Sequence, residues 1–365
     1  MENAEGDTKN VGSDLIRASV RRMQGYVPGE QPTATDLIKL NTNENPYPPA
    51  PAVLDALQSV SADALRRYPP PMSQPLRACI ADLHDVPVSQ VFCGNGSDEI
   101  LALCSRAFVE NGRKIGYFDP SYSLYPVLAS IAETETVEVK LGDGFQWVDP
   151  PENVGISLFF LTNPNAPTGM RFPPDRVASF CRRFQGVVLI DEAYVDFAEQ
   201  DCLDLVQTCP NVIISRSLSK SYSLAGLRVG YAIGAAELIT AMDKIKDSYN
   251  LDIIAQQLAV AALRETQYMR DCVTRIRKTR GWVAKELAAR GFTLYPSETN
   301  FLWCKPPAML PASAYIEALR DGNILVRYFA SDKRLAPYVR ITIGLDEQME
   351  KLIKETDRIL EGLHE

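Results

Sequence analysis

The amino-acid sequence predicts an α/β protein with one large domain and a smaller α+β companion. Short apolar runs alternate with amphipathic, helix-like segments from about residue 51 onward. Apolar runs of about four to eight residues set between helical stretches are typical of buried parallel strands. A chain of 365 residues is also too long for one small core, and its 46% hydrophobic residues can fill a large one.

The large domain is predicted to span residues 51–260 around a mostly parallel central sheet. Its helices are expected to alternate with the strands. Its strand-like segments are KIGYF at 114–118, VGISLFFL at 154–161, GVVLI at 186–190, NVIIS at 211–215 and RVGYAI at 228–233.

The pattern changes after about residue 250. A long charged amphipathic stretch leads to the strand-like segments FTLYP, NFLWCK, ILVRYF and YVRITIG, with a helix before ILVRYF and a last helix from Asp346 to Leu363. This order predicts a small α+β domain over residues 261–365. Residues 1–12 are expected to form a disordered tail, and residues 13–50 a helix and a proline-rich arm that pack with the small domain.

Charge and hydropathy exclude several classes of partner. The net charge of −8 is spread over interspersed acidic and basic residues, so we expect no nucleic-acid partner. No apolar run approaches the ~20 residues of a membrane helix. The polar N-terminus lacks the apolar core of a signal peptide, and a cytoplasmic location is therefore expected.

Histidine and cysteine chemistry is not expected to carry the function. The eight cysteines are scattered without a CxxC pair and are interpreted as reduced core residues, such as Cys104 in LALCSRAF. The two histidines are His84 and His364, so a zinc site or a Ser-His-Asp triad would depend on His84 alone. We expect no metal.

Polar side chains follow five of the predicted strands. VFC precedes GNGSDE, KIGYF precedes DPSYSLY, VGISLFFL precedes TNPNAPTG, GVVLI precedes DEAY, and NVIIS precedes RSLSKSYSLAGLR. Ligands of open α/β sheets bind outside the carboxyl ends of the strands, so these segments are expected to meet at one site.

Each group has an ordinary explanation when taken alone. GNGSDE is a phosphate site or only a capped helix start, and Asp191 is a buried counter-ion or only a helix N-cap. Lys220 could be a surface charge, and Arg228 could be a structural ion pair. Together, an imine-forming lysine, an aspartate for a ring nitrogen, tyrosines for stacking and a phosphate cradle describe a pyridoxal 5'-phosphate site.

The motifs S-L-S-K-x-x-x-L-A-G-L-R, N-P-N-x-P-T-G and D-E-A-Y, in this order, resemble those of the fold-type-I pyridoxal-phosphate-dependent aminotransferases. LNTNENPYPP, RRYPPP, CGNGSDE, DPSYSLYP, SETNFLWC, ILVRYF and YVRITIG are similar to the histidinol-phosphate aminotransferase branch of that family. The resemblance covers about residues 25 to 360. It implies a transfer of the amino group between glutamate and imidazole-acetol phosphate in histidine biosynthesis.

The resemblance also implies the role of each cofactor-binding residue. Lys220 is expected to bind pyridoxal phosphate covalently and to act as general acid and base. Asp191 is expected to pair with the pyridine nitrogen, Tyr194 to hydrogen-bond the phenolate oxygen, and Tyr122 to stack on the ring. The full implied set is Gly96, Ser97, Asp98, Tyr122, Asn165, Asp191, Tyr194, Ser217, Ser219, Lys220, Arg228 and, from the neighbouring subunit, Tyr68.

On the substrate side, Arg340 is expected to bind the glutamate carboxylate and, alternately, the substrate phosphate, with assistance from Arg327. The contact of Tyr68 with the neighbouring cofactor implies a homodimer with shared active sites. The arm residues expected to cover the substrate are Asn43, Glu44 and Asn45.

One position departs from the family pattern. Many relatives have asparagine directly before Pro-Thr-Gly, whereas this chain has Ala166 there, preceded by Asn165. Either Asn165 reaches the cofactor after a one-residue adjustment of the loop, or the hydrogen bond is left to Tyr194 alone; we favour Asn165.

Three other functions remain open at this stage. An aromatic aminotransferase and a phosphothreonine decarboxylase share the scaffold. A regulator that only binds pyridoxal phosphate is disfavoured, because such regulators carry an additional DNA-binding domain for which this chain has no room.

Overall fold

The computed structural model describes residues 15–33, 36–151 and 154–363. The tail predicted for residues 1–12, and His364, lie outside these described residues. The strands are β1 (Ile38–Leu40), β2 (Val91–Gly94), β3 (Lys114–Asp119), β4 (Glu135–Lys140), β5 (Ile156–Thr162), β6 (Val187–Asp191), β7 (Val212–Ser217), β8 (Gly230–Gly234), β9 (Thr293–Leu294), β10 (Phe301–Lys305), β11 (Ile324–Tyr328) and β12 (Val339–Thr342).

The helices connect these strands and cover the sheets. They are α1 (Ala18–Arg22), α2 (Pro51–Gln58), α3 (Ala62–Leu65), α4 (Gln74–His84), α5 (Gly96–Ala107), α6 (Leu124–Ile131), α7 (Pro174–Arg183), α8 (Leu205–Thr208), α9 (Ala236–Ile245), α10 (Ile253–Arg264), α11 (Thr266–Ala289), α12 (Ala312–Asp321) and α13 (Asp346–Glu361). Short 3₁₀ turns lie at Val88–Gln90, Asp143–Phe145, Val195–Phe197 and Ala225–Leu227.

The larger sheet has seven strands in the order β2-β8-β7-β6-β5-β3-β4. Strands β4, β3, β5, β6 and β7 pair in parallel, and β8 is antiparallel to both β7 and β2. Strand β2 therefore runs in the same direction as β3 to β7. The carboxyl ends of β2, β3, β5, β6 and β7 consequently meet at one edge, as the sequence predicts, and the α/β class with a mostly parallel sheet is confirmed.

Two hydrophobic clusters fill the space on the two sides of this sheet. In β5, Phe159 and Leu161 belong to one cluster, whereas Leu158 and Phe160 belong to the other. Because both faces of the strand are buried, its apolar residues need no alternation with polar ones.

The second sheet has five strands in the order β1-β11-β12-β10-β9. Strand β1 of the N-terminal arm pairs in parallel with β11, so the arm is hydrogen-bonded to the small sheet. The domain limits at residues 50/51 and 260/261 stay predictions.

Several elements differ from the predicted pattern. Strand β4 was missed because it is a mostly exposed edge strand without an apolar run. The segment FTLYP forms only the two-residue strand β9, and the long amphipathic stretch after residue 250 is divided at Glu265 into α10 and α11. The last helix ends at Glu361 rather than Leu363.

Candidate active site

A cavity of about 250 Å³ lies where the polar segments meet. The two sheets and the arm all contribute to its wall. Of the predicted site residues, Asn43, Ser97, Asp98, Tyr122, Asp191, Tyr194, Ser217, Ser219, Lys220, Arg228, Arg327 and Arg340 line this cavity.

Lys220 follows β7 and presents its amine to the cavity. The Nζ atom donates a hydrogen bond to the carbonyl oxygen of Thr42 at 3.1 Å. Burial lowers the pKa of Lys220 from 10.5 to about 8, and the charges of Arg340 and Arg228 act in the same direction. A lysine with a lowered pKa has more of the neutral amine, which is the nucleophilic form.

Asp191 ends β6 with only 4% of its surface exposed. Its carboxylate accepts hydrogen bonds from the Tyr125 hydroxyl at 3.0 Å and from the Ala193 N–H at 3.2 Å. Burial raises the pKa of Asp191 to about 6, although both hydrogen bonds oppose the shift. No lysine or arginine among the described residues forms an ion pair with it, so a protonated ring nitrogen in the cavity would supply the missing partner.

Tyr194 and Asn43 join the arm to the large domain. The side-chain amide of Asn43 donates to the Tyr194 hydroxyl at 2.8 Å, and the Asn43 N–H donates to Thr342 Oγ1 at 3.0 Å. Asn300 donates to the carbonyl oxygen of Asn43 at 3.0 Å. Asn43 has a φ of 57°, a conformation that asparagine tolerates better than most residues. These bonds hold Tyr194 at the wall of the cavity.

An anion cradle forms where α5 begins. The first N–H groups of a helix have no partner within the helix, and Ser97 and Asp98 lie in this first turn. Arg228 approaches closely because Gly96, at a φ of 73°, has no side chain: a Cβ there would lie 2.7 Å from Arg228 Nη2. Arg228 also donates to Ser219 Oγ at 3.4 Å. This concentration of donors fits a phosphate group.

Tyr122 lines the cavity beside the cradle. Its hydroxyl donates to Asp98 Oδ1 at 3.1 Å. The rings of Tyr26 and Tyr125 meet it edge to face, at centroid distances of 5.8 and 5.7 Å. Its stacking on the cofactor ring stays a prediction.

Arg327 and Arg340 are direct partners across the antiparallel pair β11–β12. Arg340 donates to the carbonyl oxygen of Asn41 at 3.0 Å, while its buried Nε has no partner among the described residues. Arg327 donates to the carbonyl oxygens of Pro28 and Val27 at 3.3 and 3.4 Å. Neither guanidinium pairs with a carboxylate of the described chain, which leaves both available to an anion.

Asn165 does not line the cavity, so its contact with the cofactor stays a prediction. This residue is fully buried: its side-chain amide donates to the carbonyl oxygen of Pro120 at 3.3 Å, and its Oδ1 accepts from Thr168 Oγ1 at 2.8 Å. The side chain thus bonds within its own loop and to the loop after β3, and Ala166 lines the cavity instead. The alternative, in which Tyr194 alone bonds the phenolate oxygen, fits this geometry.

Four further predicted residues do not line the cavity, and the side chains of two of them bond to other residues. Glu44 forms an ion pair with Lys39, at 2.6 Å from Oε1 to Nζ. Asn45 donates to the carbonyl oxygens of Lys220 and Ser221, both at 3.0 Å, and therefore supports the lysine loop from outside. Gly96 has no side chain to present, and its backbone lies against the guanidinium of Arg228.

Tyr68, the fourth, is 80% exposed and stacks on Tyr249 at a centroid distance of 4.4 Å. An exposed aromatic pair is compatible with a subunit contact, but its contact with a neighbouring cofactor stays a prediction.

Sequence reasoning missed several residues of the wall. Tyr26 and Gln31 precede the recognised arm motif, Thr162 is the last residue of β5, and Phe329 follows Arg327 by two positions. The position of Phe329 in ILVRYF, on the same side of an extended segment as Arg327, is the signal that could have identified it.

The residues present fit pyridoxal phosphate. Asp191 is a buried carboxylate with no ion-pair partner in the described part of the chain, the cradle gathers N–H, hydroxyl and guanidinium donors, and Lys220 has a lowered pKa. Among the described residues, no cluster of three or more His, Cys, Asp or Glu side chains could hold a metal ion. No helix in the described ranges combines the length and apolar character needed to cross a membrane.

Comparison with known proteins agrees with this class of site. The chain belongs to the class I and II aminotransferase family, whose model matches residues 35–355. Within that family, it is 44% identical over 340 residues to the histidinol-phosphate aminotransferase of Citrifermentans bemidjiense, covering 93% of this chain and 97% of the relative. The enzyme of the same name from Synechocystis is 44% identical over 338 residues, covering 93% of this chain and 96% of the relative.

Solved structures share the fold. The histidinol-phosphate aminotransferase of Sinorhizobium meliloti, in complex with pyridoxal-5'-phosphate, superposes with a TM-score of 0.83 at 24% identity, covering 96% of this chain and 98% of that one. The L-threonine-O-3-phosphate decarboxylase of Porphyromonas gingivalis has a TM-score of 0.78 at 20% identity, covering 89% of this chain and 100% of that one. The fold alone therefore does not select the reaction.

Proposed function

We propose that the protein is a pyridoxal-phosphate-dependent aminotransferase that exchanges an amino group between histidinol phosphate and 2-oxoglutarate. The products are imidazole-acetol phosphate and glutamate. One observation carries the substrate assignment: two facing arginines, neither paired with a carboxylate of the described residues, lie in the same cavity as Lys220. The names of the relatives at 44% identity support the same reaction.

Each residue around the cofactor site would have a separate chemical role. Pyridoxal phosphate, when bound, supplies an aldehyde that takes up amino groups and a ring that accepts electrons. Lys220 would hold the aldehyde and then move the proton of the carbon that bears the amino group. Asp191 would keep the pyridine nitrogen protonated, and Tyr194, held by Asn43, would donate to the phenolate oxygen.

The anion cradle would fix the cofactor in place. Ser97 and Asp98 at the start of α5 line the cavity together with Ser219 and Arg228, and Arg228 lies 3.3 Å from the Asp98 carboxylate. These donors would hold the phosphate while the amino group is exchanged at the aldehyde carbon.

The two arginines would serve both substrates. Histidinol phosphate has a phosphate but no carboxylate, whereas glutamate has two carboxylates. A planar guanidinium matches either anion with two parallel hydrogen bonds, so Arg340 and Arg327 can accept them in turn. Arg340 donates a hydrogen bond to the carbonyl oxygen of Asn41, so the arm lies beside this arginine.

We further propose a homodimer with shared sites, in which the exposed Tyr68 reaches the partner's cofactor phosphate. For a reaction of histidine biosynthesis, we expect the enzyme to work in the cytoplasm. Small-molecule substrates account for the residues of the site, and we propose no nucleic-acid or membrane partner.

A first experiment tests whether the chain is an enzyme. Glutamate is added to the purified, cofactor-loaded protein without any acceptor. We expect the absorbance of the pyridoxal form of the cofactor to disappear, and one equivalent of 2-oxoglutarate to be released per site. A protein that only senses the cofactor would leave the absorbance unchanged and release no 2-oxoglutarate.

A further inference from the structure

Phe329 shares the cavity wall with the two arginines. It follows Arg327 by two residues at the end of β11, and residues two apart in an extended chain point to the same side. Arg340 is the direct cross-strand partner of Arg327. The three side chains therefore face the cavity together.

Two guanidiniums side by side need stabilisation. Like charges directly opposite on neighbouring strands repel each other. Burial lowers the pKa of Arg340, and the positive charge of Arg327 acts in the same direction. Both arginines donate only to backbone carbonyl oxygens of the described chain.

The ring of Phe329 supplies part of that stabilisation. The Cζ atoms of Arg327 and Arg340 lie 5.4 and 5.6 Å from its centroid, within the range of cation–π attraction. The fully buried Trp303 meets Phe329 edge to face at 5.7 Å and holds the ring in place. Phe329 is therefore a fixed platform for both charges.

We propose that Phe329 is a positioning residue that sets the preference of the site for anionic substrates. An aromatic face attracts a guanidinium without occupying its N–H groups, so the N–H groups that do not donate to the backbone stay available to a phosphate or a carboxylate. A carboxylate at this place would instead pair with the arginines and compete with the substrate. This inference rests on the proposed function, because it concerns how the same site selects its substrates.

The test compares Phe329→Leu with Phe329→Tyr, which keeps the ring. Phe292→Leu is the matched control, because Phe292 is a buried phenylalanine that packs on Tyr315 in the same part of the chain and does not line the cavity. For Phe329→Leu we expect KM for glutamate and histidinol phosphate to rise about tenfold, equivalent to about 1.4 kcal/mol. We expect kcat and the Kd for pyridoxal phosphate to stay within about twofold, because Phe329 acts only on the arginines.

Phe329→Tyr should restore both KM values, and Phe292→Leu should leave them unchanged. A second measurement is independent of the substrate: succinate is titrated calorimetrically into each holoenzyme, and Phe329→Leu alone should bind it about tenfold more weakly. Unchanged succinate affinity in folded Phe329→Leu, or no restoration by tyrosine, would overturn the inference. If the wild type binds succinate but does not convert histidinol phosphate, the proposed function fails, and the succinate series still decides the role of Phe329.

Discussion

The amine of Lys220 offers a quantitative test of the site's electrostatics. Burial, reinforced by the charge of Arg340, lowers its pKa from 10.5 to about 8. At pH 7 this shift leaves about 300-fold more neutral amine than an ordinary lysine would have, since each pKa unit is a factor of ten. Lys220 of the cofactor-free chain should therefore react with acetic anhydride near neutral pH, with a rate midpoint at about pH 8.

Two charge variants should move this midpoint in opposite directions. Arg340→Gln removes a positive charge that disfavours the ammonium form, so the pKa of Lys220 should rise. Glu44→Gln removes a negative charge that favours that form, so the pKa should fall. Glu44 is half-exposed and paired with Lys39, so its effect should be the smaller one.

The assay is competitive labelling followed by peptide mass spectrometry, with the exposed Lys305 as an internal reference in each digest. The reasoning would be refuted by a wild-type midpoint above pH 10, or by the same direction of shift in both variants.

Three further predictions concern the roles of individual residues. Asp191→Asn should retain the cofactor but slow transamination by ~10³-fold, about 4 kcal/mol of transition-state stabilisation, because an amide cannot keep the ring nitrogen protonated; a stopped-flow loss below tenfold contradicts this role. Hybrid dimers of Tyr68→Phe and Lys220→Ala chains should recover activity, since one site per dimer is free of both lesions; hybrids no more active than either parent exclude a shared site. Arg340→Lys should impair both half-reactions, whereas Arg327→Ala should reduce kcat/KM for glutamate or histidinol phosphate far more than for phenylalanine; equal losses in Arg327→Ala would mean that Arg327 is structural.

The large sheet was predictable because both faces of its strands are buried. Strands β5, β6 and β7 each contain an apolar run with both faces buried, and each ends at a polar motif. The edge strand β4 and the three-residue β1 carry no such signal, since their stability comes from neighbours that are distant in sequence.

The site was predictable where a motif lies directly after a strand. Asp191 and Lys220 were found in this way, and both line the cavity. Asn165 does not line the cavity, because its side chain bonds to Pro120 and Thr168, and these partners depend on the folding of two loops rather than on spacing in the sequence. Phe329 was missed because one aromatic residue in an apolar strand resembles ordinary core. Its spacing of two from Arg327 places it on the same side as that residue, and the cross-strand register adds Arg340.

The central claim is that this site transfers the amino group of histidinol phosphate. The most direct measurement is kcat/KM of the cofactor-loaded protein with 2-oxoglutarate as acceptor and histidinol phosphate, phenylalanine, tyrosine or phosphothreonine as the other substrate. We predict the highest kcat/KM for histidinol phosphate. It should exceed the values for phenylalanine and tyrosine by a factor of ~10² or more, because these two substrates lack the phosphate that the site bonds. An equal or higher value for an aromatic amino acid, or release of carbon dioxide from phosphothreonine, would contradict the account.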